Sequence, residues 1–178
     1  MYEEIILAGQ KINLLLVDDE QPLLDSIKRR LDIRNFNVII ADRGEKALDI
    51  ARANKIDVAV VDLKMPGLSG KEVILSLKEF YPWLEIIILT GHGSFDPEKE
   101  DFSRHAFSFL VKPCDLETLL AVSINAYKQT IINKYNLSIK QIEKLFNFQK
   151  TNQAEEILNL KEIERKLSAF DQEIPDGN

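Results

Sequence analysis

The sequence has few of the residues that build cross-links, zinc sites and membrane spans. It contains one cysteine, Cys114, so an internal disulfide cannot form. With only two histidines beside that cysteine, we do not expect a structural zinc site. No apolar run approaches the roughly 20 residues of a membrane-spanning helix. The acidic start, Met1–Glu4, also differs from the basic start of a signal peptide. We therefore expect a cytoplasmic protein without membrane contact.

The charge balance and the missing motifs exclude further functions. The 178 residues carry a formal net charge of −6, with 45% apolar and 29% charged residues, as in a soluble globular protein. An acidic chain is poorly suited to contacting nucleic acid phosphates. The sequence contains no helix-turn-helix with a basic recognition helix and no Gly-x-x-x-x-Gly-Lys loop for ATP. We expect no direct nucleic acid binding.

Short apolar runs alternate with amphipathic stretches as far as Lys112. The runs are rich in Val, Ile, Leu or Phe, which is typical of strands that helices cover on both faces. This alternation, repeated five times, predicts a doubly wound α/β fold with a five-stranded parallel sheet in the flavodoxin-like order 2-1-3-4-5. The predicted strands are Ile12–Val17, Val38–Ala41, Val58–Val61, Ile86–Leu89 and Phe107–Val111, and the clearest predicted helices are Gln21–Arg34, Glu45–Ala53 and Ser69–Tyr81.

The segment between the fourth and fifth strands has the weakest pattern. The segment Ser94–His105 is short and polar, and Pro97 suits the first turn of a helix. The pattern predicts a short helix here and the most mobile part of the domain.

Polar residues follow the predicted strands where a doubly wound sheet binds its ligand. Asp18 and Asp19 follow the first strand, Asp62 the third, Thr90 closes the fourth and Lys112 the fifth. Three neighbouring carboxylates stay ionised together only if a cation joins them, and a small all-oxygen site favours Mg²⁺. A lysine and a hydroxyl opposite them suit phosphoryl oxygens. The sequence indicates a site for phosphoryl transfer to an aspartate.

Four segments together resemble the receiver domain of bacterial response regulators (the CheY-like superfamily of two-component signalling). The resemblance covers roughly residues 11 to 128, about two-thirds of the chain, and the spacings between the segments also fit. These segments are Leu15–Glu20 (acidic pair), Val60–Gly70 (phosphoacceptor), Leu89–Gly93 (switch threonine) and Phe109–Pro113 (aromatic-x-x-Lys-Pro).

The resemblance implies a magnesium site. Asp19 and Asp62 would bind Mg²⁺ directly, with the main-chain carbonyl of Lys64 as a further ligand. Asp18 would act largely through coordinated water.

The resemblance also implies a phosphoacceptor rather than an ordinary enzyme. Asp62 would attack a phosphohistidine on a histidine kinase or phosphotransfer protein. Thr90 would hydrogen-bond a phosphoryl oxygen, and Lys112 would pair first with the acceptor and then with the phosphoryl group. Phe109 stands at the switch aromatic and would turn inward when Thr90 moves. The peptide bond before Pro113 is usually cis in this family.

Four residues bear on how this chain signals. Pro97 in the polar segment and His105, where relatives often have glycine, differ from the usual signalling face. Lys64 and His92 would flank the mouth of the site, at positions that tune the lifetime of the phosphorylated state.

The last third of the chain is predicted to be helical. We divide the chain into a tail (residues 1–10), a receiver domain (11–128) and a helical extension (129–178). Apolar residues recur in one heptad register through Ile132, Tyr135, Ile139, Ile142, Phe146, Leu160, Ile163, Leu167 and Phe170. This predicts either a coiled-coil arm or, as we prefer, separate helices beginning near Ser138 and Asn152. Burying this seam on the receiver or on a second copy makes a homodimer a further expectation.

Two other readings stay open, and a third lacks a residue that it needs. The domain could be a docking module that is never phosphorylated, or the receiver fragment of a transcription factor. A haloacid-dehalogenase-type phosphatase would need a second aspartate two residues after Asp62, where Lys64 stands.

Overall fold

Five parallel strands form one sheet in the order β2-β1-β3-β4-β5, which confirms the predicted fold. The structure is a computed structural model and describes residues 11–91, 101–146 and 152–172. The strands are β1 Ile12–Val17, β2 Phe36–Ala41, β3 Val58–Val61, β4 Glu85–Thr90 and β5 Ser108–Val111.

Helices cover both faces of the sheet and continue beyond it. They are α1 Gln21–Asp32, α2 Gly44–Ala53, α3 Gly70–Phe80, α4 Leu116–Lys134, α5 Ile139–Leu145 and α6 Gln153–Gln172. No helix within the described ranges has the length and apolar character needed to cross a bilayer.

The strand side chains divide the core into two layers. Successive residues of a strand point to opposite faces, so β1 supplies both layers. Leu14 and Leu16 pack with apolar residues of α1, α4 and α6, whereas Leu15 and Val17 pack with those of α2 and α3. Each buried leucine stabilises the fold by roughly 1.5–3 kcal/mol. This two-sided burial explains why the strands read as apolar runs rather than as alternating patterns.

Side-chain caps fix where several helices begin. At α3, the Ser69 hydroxyl accepts a hydrogen bond from the Glu72 amide at 3.4 Å, and the Glu72 carboxylate accepts one from the Ser69 amide at 2.9 Å. Ser138 makes the same reciprocal pair with Gln141 at the start of α5. Asn152 accepts from the Glu155 amide at 3.0 Å before α6. The predicted helix starts near Ser138 and Asn152 are therefore confirmed.

The polar segment before β5 differs from its prediction. Residues 92–100, which include His92 and Pro97, lie outside the described residues. Asp101–His105 forms a short 3₁₀ helix instead of the end of an α-helix. The segment has no apolar stripe to bury, and an α-helix depends mostly on such packing.

The last third of the described chain consists of separate helices that fold back on the α/β domain. Phe146, Leu160 and Ile163 are buried in the same layer of the core as α1 and α4, whereas Ile139 and Phe170 are 75% and 65% exposed. Part of the heptad seam is thus buried on the α/β domain itself. The division of the chain at residue 128 stays a prediction.

Gly70 lets the loop after β3 pass very close to the start of α3. A Cβ added there would lie 2.0 Å from the carbonyl oxygen of Asp62 and 2.7 Å from the Cα of Leu63. Both are backbone atoms, so they cannot rotate away. A residue without a side chain is therefore required beside the backbone of Asp62 and Leu63.

We predict that Gly70→Ala lowers the free energy of unfolding by about 3 kcal/mol, because the new methyl group overpacks this contact. Chemical denaturation measures the change. Gly91→Ala is the matched control, since an added Cβ at Gly91 meets nothing within 4 Å and should change stability by less than about 0.5 kcal/mol. Equal losses in the two variants would contradict the packing argument.

Candidate functional site

Backbone hydrogen bonds between neighbouring strands bring the predicted site residues to one edge of the sheet. The amide of Asp62 donates to the Val17 carbonyl at 2.9 Å, which sets Asp62 beside the end of β1. The amide of Lys112 donates to the Thr90 carbonyl at 2.7 Å, which joins the ends of β4 and β5. The carboxyl ends of parallel strands are where such a sheet binds its ligand.

Three carboxylates meet at this edge. Asp18, Asp19 and Asp62 each offer an oxygen, and these oxygens all lie within 4.8 Å of one another. Asp18 is 1% exposed and Asp62 is 4% exposed, whereas Asp19 faces solvent. The sequence prediction that these three side chains cluster agrees with this geometry.

Lys112 provides the positive charge of the site. Its Nζ lies 2.5 Å from Asp18 Oδ2, 3.1 Å from Glu20 Oε1 and 3.6 Å from Asp62 Oδ2. The lysine therefore sits between three carboxylates and is held closest to Asp18. Its contact with Glu20 was not expected from the sequence, although Glu20 ends the acidic-pair segment.

The surroundings of the site raise the pKa of both Asp62 and Lys112, which disfavours the charged form of the aspartate and favours that of the lysine. Burial, together with the neighbouring charges of Asp18 and Asp19, raises the pKa of Asp62, although Lys112 and a hydrogen bond from the Lys64 backbone oppose this. Burial lowers the pKa of Lys112, but contacts with Asp18 and Glu20 outweigh it and raise that pKa overall. Asp62 is thus a carboxylate whose charge is incompletely compensated by the protein.

Thr90 closes β4, the strand next to β3, and Phe109 lies on β5, one strand further out. Val61 of β3 pairs with Ile88 of β4. Asp62 comes one residue after Val61, and Thr90 comes two residues after Ile88. Thr90 is 5% exposed, and its hydroxyl donates a hydrogen bond to the Gly91 carbonyl at 3.3 Å. Phe109 is partly buried and packs against the apolar layer beneath α2 and α3. Its role in switching stays a prediction.

The donor set fits a hard divalent cation. All three side chains offer carboxylate oxygens, which Mg²⁺ prefers, and Asp19 leaves one side open to water. A single lysine does not neutralise three aspartates and Glu20. Lys64 follows Asp62 closely in the loop, and its role as a carbonyl ligand stays a prediction. The Lys112–Pro113 peptide is cis, as the resemblance implies.

Comparison with known proteins gives the class of protein that this fold and site define. The family described as response regulator receiver domain matches residues 14–123. This chain belongs to that family: it is the receiver domain of a two-component response regulator.

The individual relatives agree with this assignment. The chain is 32% identical to the transcriptional regulatory protein GlrR of Escherichia coli (strain K12) over 124 residues, covering 70% of this chain and 28% of that protein. The chain spans between 28% and 48% of the length of the curated relatives compared with it. These receivers are parts of longer proteins, so the activities of those proteins do not transfer directly.

Solved structures share the fold. A receiver domain from Clostridium thermocellum has a TM-score of 0.61 and 35% identity, covering 66% of this chain and 95% of its own. The response regulator TrrA from Thermotoga maritima, determined in complex with Mg(2+)-BeF, has a TM-score of 0.54 and 28% identity, covering 61% of this chain and 92% of its own.

We predict that Asp62→Asn stabilises the metal-free protein. The pKa of Asp62 is higher in the folded than in the unfolded chain, so its ionisation costs folding free energy as pH rises from the ordinary carboxyl pKa through the raised one. The variant should therefore be more stable than wild type at neutral pH. The difference should vanish below about pH 3, where the aspartate is protonated in both states.

Chemical denaturation with a chelator present measures this difference across pH. Asp49→Asn is the control, because the Asp49 side chain is 77% exposed on α2 and should show little change. A wild type more stable than Asp62→Asn at neutral pH would show that the protein fully compensates the Asp62 charge.

Proposed function

We propose that this receiver accepts a phosphoryl group on Asp62 from a partner histidine kinase or phosphotransfer protein. The observation that supports it best is the joint placement of Asp62, Asp18 and Asp19 within 4.8 Å of one another, with the Lys112 ammonium 3.6 Å from Asp62. This arrangement supplies a nucleophile and opposite charge for the group that it receives.

Three residues of the chain have separate roles in the transfer. An oxygen of Asp62 attacks the phosphorus of the partner's phosphohistidine, and the bond from phosphorus to the imidazole nitrogen breaks. Lys112 shifts from Asp18 towards the phosphoryl oxygens and stabilises their charge. The hydroxyl of Thr90 donates to one of these oxygens. The positions of these groups are fixed by strands, which is the kind of preorganisation that phosphoryl transfer needs.

Asp19 and Asp62 would hold Mg²⁺ directly, with Asp18 acting through coordinated water and Lys64 offering its main-chain carbonyl. When bound, the ion neutralises charge on the acidic pocket and on the transferred group. The similarity to a receiver solved with Mg(2+)-BeF supports this assignment.

An apolar cavity beside the site suits contact with the phosphoryl donor. It has a volume of about 340 Å³ and extends from Glu20 and Lys112 along α1 to the start of α4, with Ile27, Pro113 and Leu116 in its lining. A partner that presents its histidine to Asp62 would cover this surface. We assign the cavity to partner contact on that ground.

We further propose that the C-terminal helices transmit the signal through contacts with other proteins. A homodimer is one such contact. The expectation that this protein does not bind nucleic acid directly is not supported, because GlrR is a transcriptional regulatory protein. A receiver fragment of a transcription factor therefore stays a second candidate. A docking module that is never phosphorylated is the alternative that the next experiment addresses.

We predict that the purified chain gains one phosphoryl group from acetyl phosphate in the presence of Mg²⁺. Intact mass measures the gain over time. Asp62→Asn should gain none at that site, because the nucleophile is missing, and Lys112→Ala should react about 100-fold more slowly, because one stabilising charge is lost. The control Asp49→Asn should react like wild type, since Asp49 lies exposed on α2.

A wild type that stays unmodified, or an Asp62→Asn variant modified as fast as wild type, would contradict the proposal. The first result would favour the docking module. The second would place the acceptor on another residue.

We predict that Asp19→Asn weakens Mg²⁺ binding about tenfold or more, because a direct carboxylate ligand becomes a neutral amide. Isothermal titration calorimetry measures the affinity. Asp25→Asn, which removes an exposed carboxylate from α1, is the control and should bind as wild type does. Equal affinities for Asp19→Asn and wild type would place the metal elsewhere.

A further inference from the structure

A group of charged and polar side chains, buried at its centre and bordered by two more exposed lysines, joins α6 to the receiver at the end of the sheet opposite Asp62. We call it the charged cluster. It consists of Lys55, Asp57, Tyr127, Lys134, Lys161 and Glu164.

Two side chains of α6 make the contacts at the centre of the charged cluster. The Nζ of Lys161 lies 2.5 Å from Asp57 Oδ2 and 4.7 Å from the centre of the Tyr127 ring. Glu164 accepts a hydrogen bond from the Tyr127 hydroxyl at 2.6 Å. The exposed fractions are 7% for Lys161, 5% for Glu164 and 2% for Asp57. These are charges taken out of water, so each depends on its partners.

Two further lysines, one in the loop before β3 and one at the end of α4, complete the cluster. The Nζ of Lys55 lies 2.9 Å from Glu164, and that of Lys134 lies 3.2 Å from it. Burial alone would raise the pKa of Glu164, but its hydrogen bonds with Tyr127 and Lys55 hold it at about 2. The glutamate is therefore ionised, and its contacts are ion pairs.

Apolar side chains make the other part of the same contact. Ile157, Leu160 and Ile163 of α6 are buried in the core, and they lie on the side of the helix that carries Lys161 and Glu164. These apolar contacts favour docking whatever the charges do. The charged cluster, in contrast, stabilises the docked helix only while its geometry is good, because a buried charge that loses its partner is strongly destabilising.

The cluster and the phosphoacceptor site occupy opposite ends of the same two elements. Asp57 precedes β3 and Asp62 follows it. Lys112 lies just before α4, whereas Tyr127 and Lys134 lie in the second half of this 19-residue helix, which is roughly 28 Å long. A displacement of β3 relative to α4 at the site therefore changes distances within the cluster.

We propose that α6 is a latch, which the charged cluster holds on the receiver and which phosphorylation of Asp62 releases. The release rests on the proposed function: Lys112 leaves Asp18 for the phosphoryl group, and α4, which follows Lys112 in the chain, shifts relative to β3. Because the cluster is satisfied in the present geometry, a shift weakens its ion pairs. The docked and released positions of α6 are then the two states that carry the signal.

Hydrogen–deuterium exchange of the full chain tests the latch. Glu164→Gln removes the central charge with little change in shape and should raise the exchange rate of amides 153–172 about tenfold, while β1 and β3 stay protected. Glu162→Gln is the matched control on the same helix, because Glu162 pairs with Arg165 in solvent, with side chains 46% and 69% exposed. It should leave exchange within about twofold of wild type.

Equal exchange in α6 for the two variants would overturn the latch. So would a loss of protection in β1 and β3 together with α6, because the helix would then be an inseparable part of the receiver. Lys161→Met, which keeps the length of the side chain without its charge, should behave as Glu164→Gln does.

The same measurement with Mg²⁺ and acetyl phosphate tests the release, with intact mass recorded in parallel. Phosphorylated wild type should show faster exchange in α6, as Glu164→Gln does without phosphorylation. A gain of mass with unchanged exchange would overturn the release while leaving the proposed function standing. No gain of mass would overturn both the proposed function and the release, whereas the comparison of Glu164→Gln with Glu162→Gln would still decide the latch.

Discussion

Repulsion among three neighbouring carboxylates is the constraint on which the rest of the site depends. The strand order brings Asp18, Asp19 and Asp62 to one edge, where like charges destabilise one another. Burial together with the charges of Asp18 and Asp19 raises the pKa of Asp62, and Lys112 opposes only part of that effect. We propose that this surplus negative charge holds a divalent cation, and that the cation and the lysine then stabilise the phosphoryl group that Asp62 accepts. Each step of the proposed chemistry follows from that first electrostatic imbalance.

The same fold connects this edge with its opposite end. The strand that ends at Asp62 begins after Asp57, and the helix that follows Lys112 carries Tyr127 towards α6. One end collects mostly negative charge, and the other balances buried charges of both signs. The helical extension is therefore a docked part of the described structure, with apolar and charged contacts to the receiver. This gives the C-terminal helices a physical route by which they can respond to the site.

Sequence patterns predicted some elements closely and others poorly, for identifiable reasons. The bounds of β1 and β3 were correct because both strands are continuous apolar runs. The prediction began β2 too late, at Val38 instead of Phe36, because the exposed Asn37 of this edge strand interrupts the run. The strand-end motif located Asp62 and Lys112. Nothing in the sequence indicated that Asp57 would meet Lys161, since the pair is separated by 104 residues and each side chain alone reads as a solvated charge.

The most direct test of the electrostatic account is to locate the divalent ion itself. Mn²⁺ added in place of Mg²⁺ to the ¹⁵N-labelled protein broadens the amide signals of residues near the bound ion. The account predicts that the signals of residues 18–20 and 62–64 broaden first, at a small fraction of one equivalent, and that Asp62→Asn greatly weakens the effect. Broadening spread over other acidic surfaces, or unchanged in Asp62→Asn, would contradict the claim that these three carboxylates form a metal site.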